Sequence, residues 1–246
     1  MKIIGIIPAR FASTRFPGKP LIDIGGKSMI QRVYEQAAKV SELSAIAVAT
    51  DDERIFNHVR SFGGNVLMTS PDHPSGTDRC LEAATLWGKE YDFLLNIQGD
   101  EPFIQPSQLA QLAALCKEGT EVATLVRKIV DRETLFNPNA PKVVLDTAGN
   151  ALYFSRSPIP FVRGKADEDW LNEGPFYRHI GLYAYAKSTL AHITRLSPSS
   201  LEIREALEQL RWLEHGITIK TGQSEYDSIG IDVPEDLEKI RAAGLI

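Results

Sequence analysis

The chain has 246 residues, 43% of them hydrophobic and 24% charged, and a formal net charge of -5 at pH 7. That length and balance fit one large α/β domain, or a domain with a small appended lobe, with enough apolar chain to bury a substantial core. The acidic balance argues against a general binder of nucleic acid or of an anionic membrane, so any bound anion must meet a local cluster of positive charge.

The first apolar run, Lys2 to Ala9, is too short to span a bilayer and is ended by Pro8 and Arg10. It reads as a first strand and not as a signal peptide, and the expected location is the cytoplasm. Ser28 to Val40 is apolar at helical spacing, and Ser28 with Gln31 makes a capping-box pattern at its start. Ala45–Thr50 predicts a strand, Asp52–Phe62 a helix capped by Asp52 and stopped by Gly63-Gly64, and Asn65–Thr69 a short strand. Thr77–Trp87 predicts a helix with Thr77 as its cap, Phe93–Ile97 a buried strand, and Ser107–Lys117 an amphipathic helix. This alternation points to a mostly parallel sheet flanked by helices. Cys80 and Cys116 lie far apart in helix-like segments and read as reduced core thiols.

The second half has a different rhythm. Lys142–Asp146 and Ala151–Arg156 flank a turn-like Thr-Ala-Gly-Asn and predict a hairpin. Gly164–Gly174 is charged and reads as a loop, and Tyr177–Tyr185 as a strand. Leu201–His215 reads as one helix on the spacing of Leu207, Leu210 and Leu213, stopped by Gly216. Ile217–Thr221 and a helix near Pro234–Ala243 close the chain. We expect a single domain over residues 1–246, with an inserted lobe or dimer arm around residues 135–190.

Four segments carry candidate chemistry. Arg10-Phe-Ala-Ser13-Thr14-Arg15-Phe-Pro-Gly18-Lys19 follows the first strand directly. Ligands of open α/β sheets bind beyond the carboxyl ends of the strands, and this loop offers arginine forks, a lysine point charge, two hydroxyls and backbone N–H groups to a polyphosphate. Gly25-Gly-Lys-Ser28 resembles the end of a phosphate-binding loop, but the earlier glycine that loop requires falls on Leu21. Asn96-Ile-Gln98-Gly-Asp100-Glu101-Pro102 ends a buried strand: Asp100 suits a Mg²⁺ ligand and equally a turn cap, and Gln98 suits the hydrogen-bonding edge of a base or a sugar. In Gly230-Ile-Asp232-Val-Pro234-Glu235, Asp232 reads locally as an N-cap. His73, Ser75 and Arg79, between a short strand and a helix, are candidates for a nucleotide pocket.

Together these segments resemble the 3-deoxy-manno-octulosonate (Kdo) cytidylyltransferases. The resemblance runs through nearly the whole chain. It is carried by Ile7-Pro-Ala-Arg-Phe-Ala-Ser-Thr-Arg-Phe-Pro-Gly-Lys-Pro-Leu21, Ser75-Gly-Thr77, Asn96-Ile-Gln-Gly-Asp-Glu-Pro102 and Asn137-Pro-Asn-Ala140. It continues in Ala151-Leu-Tyr-Phe-Ser-Arg156, Arg178-His-Ile-Gly-Leu-Tyr183, Leu207-Glu-Gln-Leu-Arg211 and Gly230-Ile-Asp-Val-Pro-Glu-Asp236. It implies a nucleotide-diphospho-sugar transferase-like α/β fold with a hairpin-bearing dimerisation region, a homodimer, and the reaction of CTP with Kdo to CMP-Kdo and pyrophosphate for lipopolysaccharide synthesis. It implies triphosphate binding by Arg10, Ser13, Thr14, Arg15 and Lys19, with Arg10 and Lys19 also catalytic. His73, Ser75, Arg79 and Gln98 would hold the nucleotide, and Asp100 and Asp232 would hold Mg²⁺, against the local reading of Asp232 as a cap. Gln98, His179, Tyr183, Glu208 and Gln209 match the sugar-acid pocket, with Arg156 a candidate partner for the substrate carboxylate. One segment departs from the family's pattern: Phe161-Val-Arg163 stands where Trp-Asp-Arg is expected, which leaves Arg163 without an assigned role.

Two rival classes fit a similar core, a glycosyltransferase using a finished nucleotide sugar and a non-catalytic nucleotide sensor. The first gives no reason for a triphosphate-sized cationic loop, and the second none for carboxylates at both metal positions.

Overall fold

The computed structural model describes residues 1–12, 16–227, 230–231 and 233–242. The chain divides into two compact units, Met1–Ala113 with the C-terminal stretch from Ser228, and Ala114–Asp227. Both are α/β, with sheet strands flanked by helices.

The first unit contains β1 (Ile3–Ala9), α1 (Met29–Ala37), β2 (Leu43–Thr50), α2 (Glu53–Ser61), β3 (Val66–Met68), α3 (Gly76–Trp87), β4 (Phe93–Asn96) and α4 (Pro106–Ala114). Its strands run in the order β3-β2-β1-β4, all parallel. Ile3, Ile4, Ile6 and Ile7 of β1 are all buried, the continuous apolar run expected of a parallel strand covered on both faces. Parallel order sends every carboxyl end to one edge, which is where the chemistry-bearing loops leave the sheet.

Local caps set the helix starts. The Ser28 hydroxyl accepts from the Gln31 backbone N–H at 3.2 Å, but the Gln31 side chain turns to Glu35 at 2.9 Å. Only half of the capping box forms. Asp52 caps α2 as expected. α3 is capped by Ser75 and not by Thr77: Ser75 is extended and its hydroxyl accepts from Asp78 N–H at 3.2 Å, while Thr77 is buried inside the first turn. Ser-x-x-Asp is itself a capping pattern, and it begins two residues earlier than the one expected.

The second unit contains β5 (Val122–Lys128), α5 (Arg132–Phe136), β6 (Lys142–Leu145), β7 (Ala151–Ser155), β8 (Tyr177–Ala186), α6 (Lys187–Ile193), α7 (Ser200–Glu205), α8 (Gln209–Glu214) and β9 (Ile219–Gln223). Here the pairing is mixed. β5 runs antiparallel to β8 and parallel to β9, and the β6–β7 hairpin is antiparallel, with β6 also antiparallel to β8. At the hairpin turn the Asp146 carboxylate accepts from Ala148 N–H at 2.8 Å and Asn150 N–H at 2.7 Å, and Gly149 supplies a positive φ of 78°. The final helix, α9 (Pro234–Ala242), belongs to the first unit, where Ile240 and Leu237 pack with Ile24, Met29 and Ile231.

Two expectations are corrected. Gly164–Gly174 is not a free loop: Asp167–Asn172 forms a tight helical turn, and buried Trp170 anchors it in a cluster with Ile129, Leu135 and Phe176. Leu201–His215 is not one helix either. It is broken between α7 and α8 by Ala206, which sits in the left-handed region at φ 50°, ψ 50°. Cys80 and Cys116 are both buried, and burial pushes the Cys116 thiol up to about 12. Among the described residues no helix is long and apolar enough to cross a membrane.

Candidate functional site

A cavity of about 250 Å³ opens at the carboxyl ends of β1 and β4. Its lining includes Arg10, Lys19, His73, Ser75, Arg79, Gln98 and Asp100, which were singled out from the sequence as nucleotide or metal ligands. Ser13, Thr14, Arg15 and Asp232 lie outside the described residues.

Backbone geometry makes room for this cavity. Gly99 follows β4 so closely that a Cβ there would lie 2.8 Å from the Pro8 carbonyl oxygen, so no larger residue fits without separating the two strand ends. The loop after β1 is closed by Gly18, whose N–H donates to the Phe11 carbonyl at 3.0 Å with φ 71°. Lys19 then begins a tight helical turn, Lys19–Leu21, which returns its side chain to the cavity.

Lys19 Nζ donates to Asp100 Oδ2 at 2.8 Å; the lysine side chain is 12% exposed and the aspartate 36%. One cation and one carboxylate of the cavity lining are thus paired directly. The Ile231 N–H donates to the Asp100 carbonyl at 3.0 Å, which fixes the backbone at the end of β4 to the chain that leads into α9.

The N-terminus of the twelve-residue α3 also reaches the cavity through Ser75 and Gly76, and the positive end of a helix favours an anion there. Two of the expected ligands are held from behind by residues the sequence did not single out as supports. Arg79 is buried, and its guanidinium donates to Thr69 Oγ1 at 2.6 Å and pairs with Asp51 at 3.3 Å. His73 Nε2 is bonded to Glu82, which also accepts from the Ser70 N–H at 2.8 Å. Burial raises the Glu82 carboxyl, but the hydrogen bonds from His73 and Ser70 outweigh it and hold the group below its ordinary value. Nothing local marks Glu82 or Thr69 as supports; only the fold brings them behind the cavity.

In the second unit, His179 and Tyr183 are in contact, Glu208 acts on Tyr183, and Gln209 opens α8, the helix that packs Trp212 on Tyr183. The rings of His179 and Tyr183 are 5.3 Å apart, and Trp212 of α8 packs edge-on to Tyr183 at 5.1 Å. The even spacing of His179 and Tyr183 does place them on one face, although β8 carries a bulge between them. Thr124 stands opposite Tyr183 and Leu125 opposite Ile180, so two extra residues preserve the parity.

The Thr124 hydroxyl donates its one proton to the Leu182 carbonyl at 2.7 Å, so at 3.1 Å it accepts from His179 Nε2–H, and Nδ1 is left as an acceptor. Burial first, and the Arg178 charge second, push His179 down to about 3, so the ring is neutral. Burial, then Tyr185 and Glu208, raise Tyr183 well above its ordinary value, so it stays a phenol. Gln209 is 4% exposed and Tyr183 8%. Gln209 Nε2 and Tyr183 Oη have no hydrogen-bond partner among the described residues. A buried polar atom without a partner is costly unless a ligand completes it. Gln209 is therefore no part of a solvated helix face. Arg156 is engaged within the protein: Nε donates to the Glu205 carbonyl at 2.6 Å, Nη1 to that of Pro138 at 2.9 Å and Nη2 to that of Ala206 at 3.2 Å.

Comparison with known proteins adds an independent finding. Residues 4–219 match a family model described as cytidylyltransferase. A 3-deoxy-manno-octulosonate cytidylyltransferase of Bacteroides thetaiotaomicron is 58% identical over 97% of this chain and 96% of its own length. One of Cytophaga hutchinsonii is 55% identical over 98% and 96%. A solved structure of CMP:2-keto-3-deoxy-manno-octonic acid synthetase, complexed with CTP, superposes with a TM-score of 0.91 at 42% identity, covering 100% of this chain and 99% of that one.

Proposed function

The chain belongs to the 3-deoxy-manno-octulosonate cytidylyltransferase family, and we propose from that premise that it couples CTP to Kdo, giving CMP-Kdo and pyrophosphate. The observation that carries this reading is the cavity at the ends of β1 and β4, in which a cationic loop and a carboxylate converge on a space suited to a nucleoside triphosphate.

The reaction is an in-line displacement. The anomeric hydroxyl oxygen of the sugar acid forms a bond to the α-phosphorus as the bond from that phosphorus to the bridging oxygen breaks; the hydroxyl proton is lost and pyrophosphate departs. Positioning and charge neutralisation dominate such transfers. Arg10 and Lys19 offset the charge growing on the leaving group, joined by Ser13, Thr14 and Arg15 of the same loop, and the α3 N-terminus adds backbone donors. His73, Ser75, Arg79 and Gln98 orient the nucleotide.

Asp100 offers hard oxygen ligands open to the cavity, the donor chemistry that Mg²⁺ takes, with Asp232 as its partner. Bound there, the metal would supply Lewis-acid polarisation of the phosphate. His179, Tyr183, Glu208 and Gln209 hold the hydroxyl-rich sugar acid; two buried atoms without a partner among the described residues, Gln209 Nε2 and Tyr183 Oη, support this assignment.

We further infer a homodimer whose arm is the region around residues 135–190, within a single functional domain of residues 1–246. Leu152 and Phe161 of that region are exposed at 59% and 74%, which supports an apolar contact with a second copy. The product would enter lipopolysaccharide synthesis, and the enzyme would work in the cytoplasm.

The test is pyrophosphate release from CTP with and without Kdo, and with the other nucleoside triphosphates. Release that requires Kdo and Mg²⁺ and prefers CTP is expected; equal release without the sugar acid would mean a triphosphatase.

A further inference from the structure

The segment Leu201–His215 contains no glycine or proline, and its residues around the break, Arg-Glu-Ala-Leu-Glu-Gln-Leu-Arg, are all good helix formers. Propensity therefore calls for an unbroken helix, yet the helix breaks at the residue type that favours it most. Ala206 is the sole non-glycine residue with positive φ among those described. A side chain in the left-handed region is strained, and it persists only where its surroundings over-determine it.

Those surroundings are visible. The Glu205 carboxylate accepts from the Ser155 hydroxyl at 2.6 Å and from the Arg156 backbone N–H at 2.9 Å, tying the end of α7 to the end of β7. The Arg156 guanidinium donates to the carbonyls of Glu205 and Ala206. In a continuous helix those two carbonyls would accept from the N–H groups of Gln209 and Leu210, so Arg156 satisfies the acceptors that the break leaves open. Lys142, wholly buried, fixes Arg156 in turn: its Nζ donates to the Arg156 carbonyl at 2.6 Å and to the Asn137 carbonyl at 2.8 Å. On the far side Arg211 of α8 grips Glu202 of α7 through two bonds, at 2.7 and 2.6 Å. The elbow is thus clamped from both sides.

The clamp decides where the polar residues after the break point. Because α8 starts afresh, Glu208 takes its N-cap position and Gln209 is its first residue. In this setting Gln209 is buried with an amide nitrogen that has no partner among the described residues, and Glu208 acts on Tyr183.

We propose that Glu205 is a positioning residue for the sugar-acid pocket: with Arg156 and Lys142 it holds Ala206 in the left-handed turn that sets Gln209 and Glu208 towards the substrate. This rests on the assignment of Gln209 and His179 to that pocket under the proposed function.

The experiment uses the full chain, with steady-state kinetics in both substrates. Glu205→Gln removes the charge and one of the two acceptor oxygens, so the side chain no longer accepts from both the Ser155 hydroxyl and the Arg156 N–H through separate oxygens. It is expected to raise KM for the sugar acid about tenfold or more and to leave KM for CTP within about twofold. Adding Ala206→Gly, which allows the turn without strain, should recover most of that loss. A purely structural role predicts instead that Glu205→Gln lowers the melting temperature alone, and that glycine restores melting without moving KM; either result overturns the proposal. Should Glu205→Gln fail to fold, Ser155→Ala removes a single bond to the same carboxylate, and an unchanged sugar-acid KM there is equally fatal. Gln209→Ala and His179→Ala separate the two levels. If they raise KM for the sugar acid and Glu205→Gln does not, only the elbow falls; if they leave it unmoved, the pocket assignment falls and the elbow's role with it.

Discussion

The two units build their polar clusters in opposite ways. In the first, the cluster is assembled from loops at the carboxyl edge of an all-parallel sheet, and most of its residues sit in contiguous motifs: Arg10 to Lys19, His73 to Arg79, Gln98 to Asp100. In the second, the pairing is mixed and the cluster is drawn from β8 and a broken helix, with supports from β6 and β7 far away in sequence. A parallel sheet supplies an edge where any short polar loop faces a ligand. The mixed unit has no such edge, so it must aim side chains through strain, bulges and buried hydrogen bonds. Substitutions in the first unit should therefore damage chemistry with little cost to folding, and substitutions in the second should mix the two.

The largest expected effect is at Asp100. Asp100→Asn keeps the shape but removes the charge that faces Lys19 and, in the proposed function, the metal, and turnover should fall on the order of a hundredfold or more with the melting temperature nearly unchanged. Asp232→Asn should do the same. If Asp232 is only a cap, asparagine serves almost as well and both turnover and melting stay at wild-type values.

Arg10→Ala and Lys19→Ala come next, with KM for CTP raised about tenfold and stability lost by under about 1 kcal/mol. The Lys19–Asp100 pair is part-exposed on the acid side, so its Coulomb energy is screened and contributes little to folding. Thermal unfolding measured beside the kinetics checks this: a large loss of stability with normal CTP kinetics would make the loop structural and erase the contrast between the units. In the second unit, Gln209→Ala should raise KM for the sugar acid about tenfold while calorimetry finds CTP binding unchanged. Weakened CTP binding with normal sugar-acid kinetics would move the pocket elsewhere.

The same contrast explains what could be read in the sequence. The β-α-β rhythm of the first unit follows from local periodicity, and each candidate ligand among its described residues sits in a short motif, so Arg10, His73, Gln98 and Asp100 were legible before any fold was known. Supports such as Glu82 behind His73 were not, since nothing local marks a glutamate that a histidine meets nine residues away. In the second unit β5 went unread. Its buried run Val122–Val126 has no alternation, and a short apolar run without alternation does not by itself distinguish a strand from a helix. The break at Ala206 was illegible for a stronger reason: local propensity points the other way, and the groups that override it lie on β7 and β6. Trp170 is similar, an aromatic anchor inside a segment whose charge reads as loop.

The smallest effect is the most specific to the second unit, because it arises from an imidazole held neutral by its surroundings. His179 has an ordinary value of 6.5 and is pushed down to about 3 by burial and by Arg178. Between those values the unfolded chain takes up a proton that the folded chain refuses, so stability rises with pH across the window. The contribution is complete above about 6.5 and is lost progressively as the pH falls towards 3. A fully excluded ring would lose about 1.4 kcal/mol per pH unit. His179 keeps some exposed surface, so about 1 kcal/mol between pH 6.5 and 5 is the expected share. His179→Asn cannot titrate, and its melting temperature should fall less steeply over that interval than that of the wild type. Carboxylates contribute the same background to both proteins, so the difference between the two curves isolates the imidazole. Parallel curves would mean that the ring titrates as it does in water, and Thr124 would then face an imidazolium in place of the neutral Nε2–H donor, with Nδ1 as an acceptor, that the proposed sugar-acid pocket would use.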